Sequence, residues 1–383
     1  MKLTSLEEIE TFLSPPHSIA AQLASRAMAN SRLKDAFNIN STFVNGNIDV
    51  HSIFTKQVLQ QLPIDDTADI MLTRHAIQLI SPRKLPLCRL ADIAKETVAL
   101  HLNNIPAVAS LDKVVRRITI HVILLGLLRD YVDDSAISTD DLDLVTNGIN
   151  ELWTLSKSST YRPDLLKEVN ERLRCWLPGY GNPLEIIIPA YETLWRVVAI
   201  AVSLGHDNRH ALPVFGALLK QPTVEQYREF ANESFSADAF MQEVLRLYPP
   251  TRRISRVVTV SSSSILGKIF PQLFTRKVAI AADVEALQRA DVWADSRGEF
   301  DPARHHPQRC TEQQRKTLLA FGAGKLTCVA KNWAPQAAAV IVAAILDQIG
   351  DEKGFIIEAG RVVGGREGWD GWAIRRTNDL LLT

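Results

Sequence analysis

The chain has 383 residues, 46% of them hydrophobic and 22% charged, and its formal net charge is zero. Such a chain buries a large core, and its neutral balance points to neither a nucleic-acid partner nor an anionic surface. Its four cysteines, Cys88, Cys175, Cys310 and Cys328, lie far apart without a CxxC pair. That spacing argues against a zinc site or a disulfide framework and for a reducing compartment.

The N-terminus carries Glu7, Glu8 and Glu10 where a signal peptide needs an apolar run. Segments 118–128 and 337–346 are apolar but too short to span a bilayer, and His121 interrupts the first. A cytoplasmic protein without a transmembrane anchor is expected, with peripheral attachment to a membrane left open. Residues 89–103 carry apolar side chains at helical spacing, and 111–130 form a second, mostly buried helix. Residues 184–204 read as a long apolar central helix that Pro189 should kink by removing a backbone donor. A shorter helix over 237–247 stops before Pro249 and Pro250. On it Glu243 and Arg246 stand three residues apart on one face and can pair. The same spacing recurs at Glu171/Arg174, Glu225/Arg228 and Glu312/Arg315, where a solvated contact of little worth is the expectation. Strand character follows at 253–260 and 276–283, with a serine-rich turn at 261–264 between them. A late apolar helix covers 329–349, and the tail reads as short strands with glycine turns. No composition shift marks a boundary, so a single domain over 1–383 is expected, mainly α with small β-sheets.

The most informative stretch is 321–346. Gly322 and Gly324 precede Cys328, and the late apolar helix begins just after it. Glycines let a backbone bend tightly and approach a flat ligand closely. A cysteine at a helix N-terminus lies in the positive end of the macrodipole, which lowers its thiol pKa and favours the metal-binding thiolate. Taken alone, the same loop suits a buried structural cysteine equally well.

The spacing of Phe321, Gly324, Cys328 and Ala330 resembles the haem-binding loop of the cytochrome P-450 family. One position departs: two residues before the cysteine the family usually has a basic or polar residue that contacts a haem propionate, and here it is Leu326. Two further segments resemble the family in the expected order. Residues 243–256 are similar to its K helix, and Phe300, Pro302 and Arg304 match its Phe-x-Pro-x-Arg segment. Upstream, residues 189–194 resemble the kinked I helix, with Glu192 and Thr193 as the acid and threonine; Pro189, Ala190 and Leu194 depart from the usual pattern. Residues 72–85 faintly resemble the C helix, with Arg74 and His75 as substitute propionate contacts, and 112–128 resemble the E helix. The N-terminal part, 1–64, is short for the family.

The resemblance implies a cytochrome P-450-like fold carrying haem b, with Cys328 as the iron ligand and Phe321, Gly322 and Gly324 in the cofactor loop. It implies that Arg256 meets a propionate, that Thr193 and Glu192 handle protons, and that Arg304 joins Glu243 and Arg246 in a buried network supporting the loop. The function implied is a monooxygenase acting on a small, largely apolar molecule, with secondary metabolism as one setting. Electrons would come from a separate flavodoxin-like or ferredoxin-like reductase, because the chain has no flavin or dinucleotide motif. The basic residues Arg304, His305, His306, Arg309, Arg315, Lys316, Lys325 and Lys331 are the expected docking face. Two alternatives stay open: a haem-thiolate enzyme catalysing isomerisation, dehydration or cyclisation, and a non-catalytic relative that binds a ligand.

Overall fold

Hydroxyl caps start many of the helices. Ser5 accepts from Glu8 N ahead of α1 (Leu6–Leu13), and Ser18 accepts from Ala21 N ahead of α2 (Ile19–Ala29). The computed structural model describes residues 1–16, 18–40, 73–158, 160–230, 234–261 and 275–377. Much of the span 1–64 whose shortness was noted, and residues 262–264 of the serine-rich turn, lie outside the described residues. The short β1 (Lys2–Leu3) and α3 (Ser31–Phe37) complete the N-terminal part, and residues 73–79 are helical.

The body is helical: α4 (Leu87–Asn103), α5 (Leu111–Val122), α6 (Thr139–Ser158), α7 (Pro163–Trp176), α8 (Leu184–Gly205), α9 (Ala211–Lys220), α10 (Val224–Arg228) and α11 (Ala237–Leu247). The helix expected over 111–130 divides. Its α-helical part ends at Val122, and a π turn covers Ile123–Leu127. Helix α8 continues through Pro189 in its second turn, where the proline removes the N–H that would otherwise bond Glu185 O. Among the described residues α8 is also long and apolar enough to cross a membrane, contrary to the expectation that no segment is. Most of it is buried against α5, α11 and α14 (Ala334–Asp347), as a core helix.

Two small sheets flank the helices. In the first, β1 runs parallel to β4 (Thr275–Asp283), which pairs antiparallel with β3 (Arg253–Ser261) from Arg253↔Asp283 to Ser261↔Thr275. The second joins β2 (Val108–Ser110), β6 (Ala373–Arg376) and β5 (Phe355–Glu358), all antiparallel. Short helices α12 (Val284–Gln288) and α13 (Glu312–Lys316) stand in the mostly irregular segment that leads to Cys328.

The late helix starts later than its composition suggests. Val329–Asn332 form a 3₁₀ turn, and α14 begins only at Ala334 with Pro335 in its first turn. Proline is tolerated there because its missing N–H would lack an intrahelical partner anyway. Cys328 therefore precedes a short turn and not the N-terminus of the long helix.

Candidate functional site

A cavity of about 1200 Å³ lies between the Cys328 loop and α8. Of the residues singled out from the sequence, Cys328, Phe321, Gly322, Arg256, Glu192 and Thr193 all line it. They come from three elements distant in the chain: α8 along one wall, β3 along another, and the loop after α13.

The loop is closed by a hydrogen bond from Cys328 N to Phe321 O at 2.9 Å. Gly322 has φ +73° and Gly324 φ +67°, a left-handed backbone that side chains disfavour. Their surroundings differ. Gly322 faces the cavity, whereas Gly324 does not line it. A Cβ at Gly324 would meet Leu13 O at 2.7 Å, so this glycine is required by its approach to the end of α1 and not by a ligand. Burial pushes the Cys328 thiol up, and the Ala330 N–H and the Arg26 charge offset this only in part. The expected dipole effect is lost because the long helix starts too far along the chain.

Arg256 is 8% exposed, and among the described residues its guanidinium donates to Ser255 O at 2.9 Å without a carboxylate partner. Burial, then the neighbouring Arg26, lowers it to about 10. Arg26, from α2, lines the same cavity. Ser25 Oγ donates to Val257 O at 2.7 Å, which seats α2 on β3 and brings these two arginines together. A thiol, two buried guanidinia and apolar walls formed by side chains such as Leu79 and Ile188 suit a flat, largely apolar dianion carrying a metal, so these residues fit haem. Leu326, at the position where a basic residue was expected, is buried and lines the cavity without offering a donor. Of the substitute contacts suggested upstream, neither Arg74 nor His75 lines the cavity. His75 Nε2 instead bonds Tyr180 Oη at 2.6 Å.

On α8, Thr193 is half-buried, and its hydroxyl does not bond back to its own helix among the described residues. Glu192 is fully buried and ion-paired twice, with Arg196 Nη2 at 2.9 Å and with Arg366. Arg196 also donates to Pro250 O at 2.9 Å, tying α8 to the end of α11. Arg196 was detectable in sequence as the i, i+4 partner of Glu192; Arg366 carried no such signal.

Beside the cavity a second cluster forms. Glu243 pairs with Arg246 Nε at 2.7 Å, with Arg304 Nε at 2.9 Å and with His305 Nε2 at 2.8 Å, and accepts from Asp301 N at 3.0 Å. Burial alone would raise its carboxyl, but the bonds from Arg246 and His305, the Arg246 charge and the Asp301 N–H outweigh it and lower the group to about 2. Arg246 also donates to Gln288 O and Arg297 O and lies 4.9 Å from the Trp293 ring. The other Glu-x-x-Arg spacings behave as surface sequences: Glu171 meets Lys167, Glu312 meets Lys316, and Glu225 and Arg228 are exposed.

The same cluster shrinks the expected docking face. Arg304 and His305 are buried partners of Glu243, Arg309 pairs with Asp301, and Lys316 pairs with Glu312. Lys325 and Lys331, on either side of Cys328, are exposed and have no ion-pair partner among the described residues.

Residues 236–348 match the family model described as Cytochrome P450. Two Drosophila melanogaster proteins, probable cytochromes P450 4p2 and 4p3, are 25% and 26% identical over 126 and 117 residues. Those stretches are 32% and 30% of this chain, and span 24% and 22% of the relatives' own lengths. Among solved structures, a 6-coordinated cytochrome P450 from Thermus thermophilus superposes with TM-score 0.58 at 12% identity, over 98% of this chain and 92% of that one. The heme domain of a cytochrome P450DA mutant gives TM-score 0.59 at 13% identity, over 98% and 86%.

Proposed function

We propose that the chain is a divergent member of the cytochrome P450 family, whose cofactor is haem b, and that it is a haem-dependent monooxygenase with Cys328 as the iron ligand. The observation that carries this proposal is the convergence of Cys328, Arg256 and Thr193 on one cavity from three separate elements. When bound, haem supplies the binding and reductive activation of dioxygen. The protein's own groups do the rest. Cys328 Sγ holds the metal, and Arg256 with Arg26 neutralises the two propionates. Thr193 presents its hydroxyl to the chamber and passes protons inward. Glu192, held by Arg196 and Arg366, orients this part of α8 and acts on the proton path through that position. Leu194 and Val197, which also line the cavity, exclude bulk water. The test is the absorption spectrum of the reduced, carbon-monoxide-bound protein. A strongly red-shifted Soret band is expected, and a preparation without it would sink the proposal.

Thr193→Ala should keep haem and substrate binding while uncoupling the reaction, so that reducing equivalents are consumed and peroxide is released. Peroxide yield per electron pair measures this. Unchanged coupling would favour a non-oxygenating reaction, or a proton path that avoids the hydroxyl.

We propose that electrons arrive from a separate donor at the face where Lys325 and Lys331 stand on either side of Cys328. An acidic flavodoxin-like or ferredoxin-like protein would be steered there, chiefly through its association rate. Lys325→Glu combined with Lys331→Glu should slow reductase-supported turnover several-fold at low salt and leave peroxide-driven turnover nearly unchanged. An equal loss in both assays would mean that the lysines act on folding or haem.

A further inference from the structure

Helix α11 stops at Tyr248, Pro249 and Pro250. In a continuing helix the N–H groups of residues 249 and 250 would meet Leu245 O and Arg246 O, but proline has none. One side chain at the end of α12 serves both carbonyls instead. Gln288 Nε2 donates to Leu245 O and to Arg246 O, each at 2.9 Å. Its Oε1 accepts from Leu319 N at 2.8 Å. Gln288 is fully buried, and its backbone oxygen accepts from Arg246 Nη1 at 3.1 Å. These three partners require two donors on one side and an acceptor on the other, which a carboxamide supplies. A carboxylate has no donor, and a neutral imidazole has only one.

Leu319 is the entry to the cysteine loop. Its carbonyl accepts from Gly322 N at 2.8 Å, and Phe321 O accepts from Cys328 N at 2.9 Å. A second tie runs close by, from Trp293 Nε1 to Thr317 Oγ1 at 3.0 Å, beside the ring that faces Arg246. Among the described residues the Glu243 carboxylate makes no direct hydrogen bond to residues 321–328. Its influence reaches the loop through Arg246 and then Gln288.

We infer that Gln288 is a positioning residue for the Cys328 ligand: its carboxamide fastens the entry of the cysteine loop to the proline-terminated end of α11. The inference rests on the reading of Cys328 as the iron ligand. Without this clamp the chain beyond Leu319 shifts while the helices stay packed, and the sulfur loses its place.

Hydrogen exchange and the reduced, carbon-monoxide-bound spectrum of the haem-loaded protein test it together. The Leu319 amide should be protected in the unmutated protein, a result that needs no variant. Gln288→Met keeps the length of the side chain but cannot donate and accepts only weakly. In it Leu319 should exchange about tenfold faster, and the share of protein showing the unshifted Soret band of a lost thiolate bond should rise several-fold. Gln288→Asn, with the amide but less reach, should fall between the two. Leu142→Ala, in the buried face of α6 away from the cavity, should lower the unfolding midpoint without changing the band. An unprotected Leu319 amide, or the same band from Gln288→Met and Leu142→Ala at equal loss of midpoint, overturns the inference. A red-shifted band missing from the unmutated protein defeats the ligand reading and this inference with it. A band present there and unchanged in Gln288→Met defeats this inference alone.

Discussion

Cys328→Ser is expected to abolish the red-shifted Soret band of the reduced, carbon-monoxide-bound protein and all oxidation with it. A serine hydroxyl is a far poorer metal ligand than a thiolate and lacks its electron donation. The backbone bond from Cys328 N to Phe321 O does not involve the side chain, so the loop should keep its shape and the loss can be assigned to the sulfur. The remaining cysteines make the control. All four are free; Cys88 and Cys175 are exposed, and Cys310 is buried. None of these three lines the cavity, and serine at each should leave the band intact. The Cys328 thiol, raised by burial, is not poised by a helix dipole. Its deprotonation is therefore expected to accompany metal binding, so haem uptake should release a proton at neutral pH. A normal spectrum from Cys328→Ser would end the assignment of the ligand.

The second large effect is expected at Glu243. Its carboxylate is fully buried and meets Arg246, Arg304 and His305. Alanine there strands the guanidinium of Arg246, itself 0% exposed, and breaking such a network costs about 3–5 kcal/mol. Against a typical stability of about 5–15 kcal/mol, little soluble protein should survive. Glu225→Ala, at an exposed position, should be nearly silent, and equal losses at both positions would show that the network is not what holds this region.

The pH dependence has a definite sign. The folded pKa of Glu243, about 2, lies below its unfolded value of about 4.3. Its contribution is therefore present above about pH 4.3 and lost as pH falls toward 2, about 3 kcal/mol in order of magnitude. Urea denaturation of Glu243→Gln and the unmutated chain across that window should show the difference between them shrinking with acid. A constant difference would mean that the glutamine substitution loses only packing.

Local chemistry was readable from the chain because its causes act over a few residues. Ser236 and the Pro249–Pro250 pair bound α11 within the span that periodicity indicated, and Glu243 and Arg246 share a face because three residues is nearly one helical turn. The β3 and β4 segments were legible because β-branched runs show as strands. Pro335 was an unused local signal: a proline three residues past the 3₁₀ turn marks the start of α14, and with it the loss of the dipole at Cys328. The rest depended on which distant elements meet. His305 looked like one more surface cation until the fold turned it onto Glu243. Gly324 looked like part of a ligand cradle until α1 packed against it, and Arg26 and Arg366 gained meaning only through contacts with β3 and α8. Charge pairing and close backbone approach between residues far apart in the chain leave no periodicity in it. They are decided by the burial of α8 and α14 and by where the surrounding loops can then close.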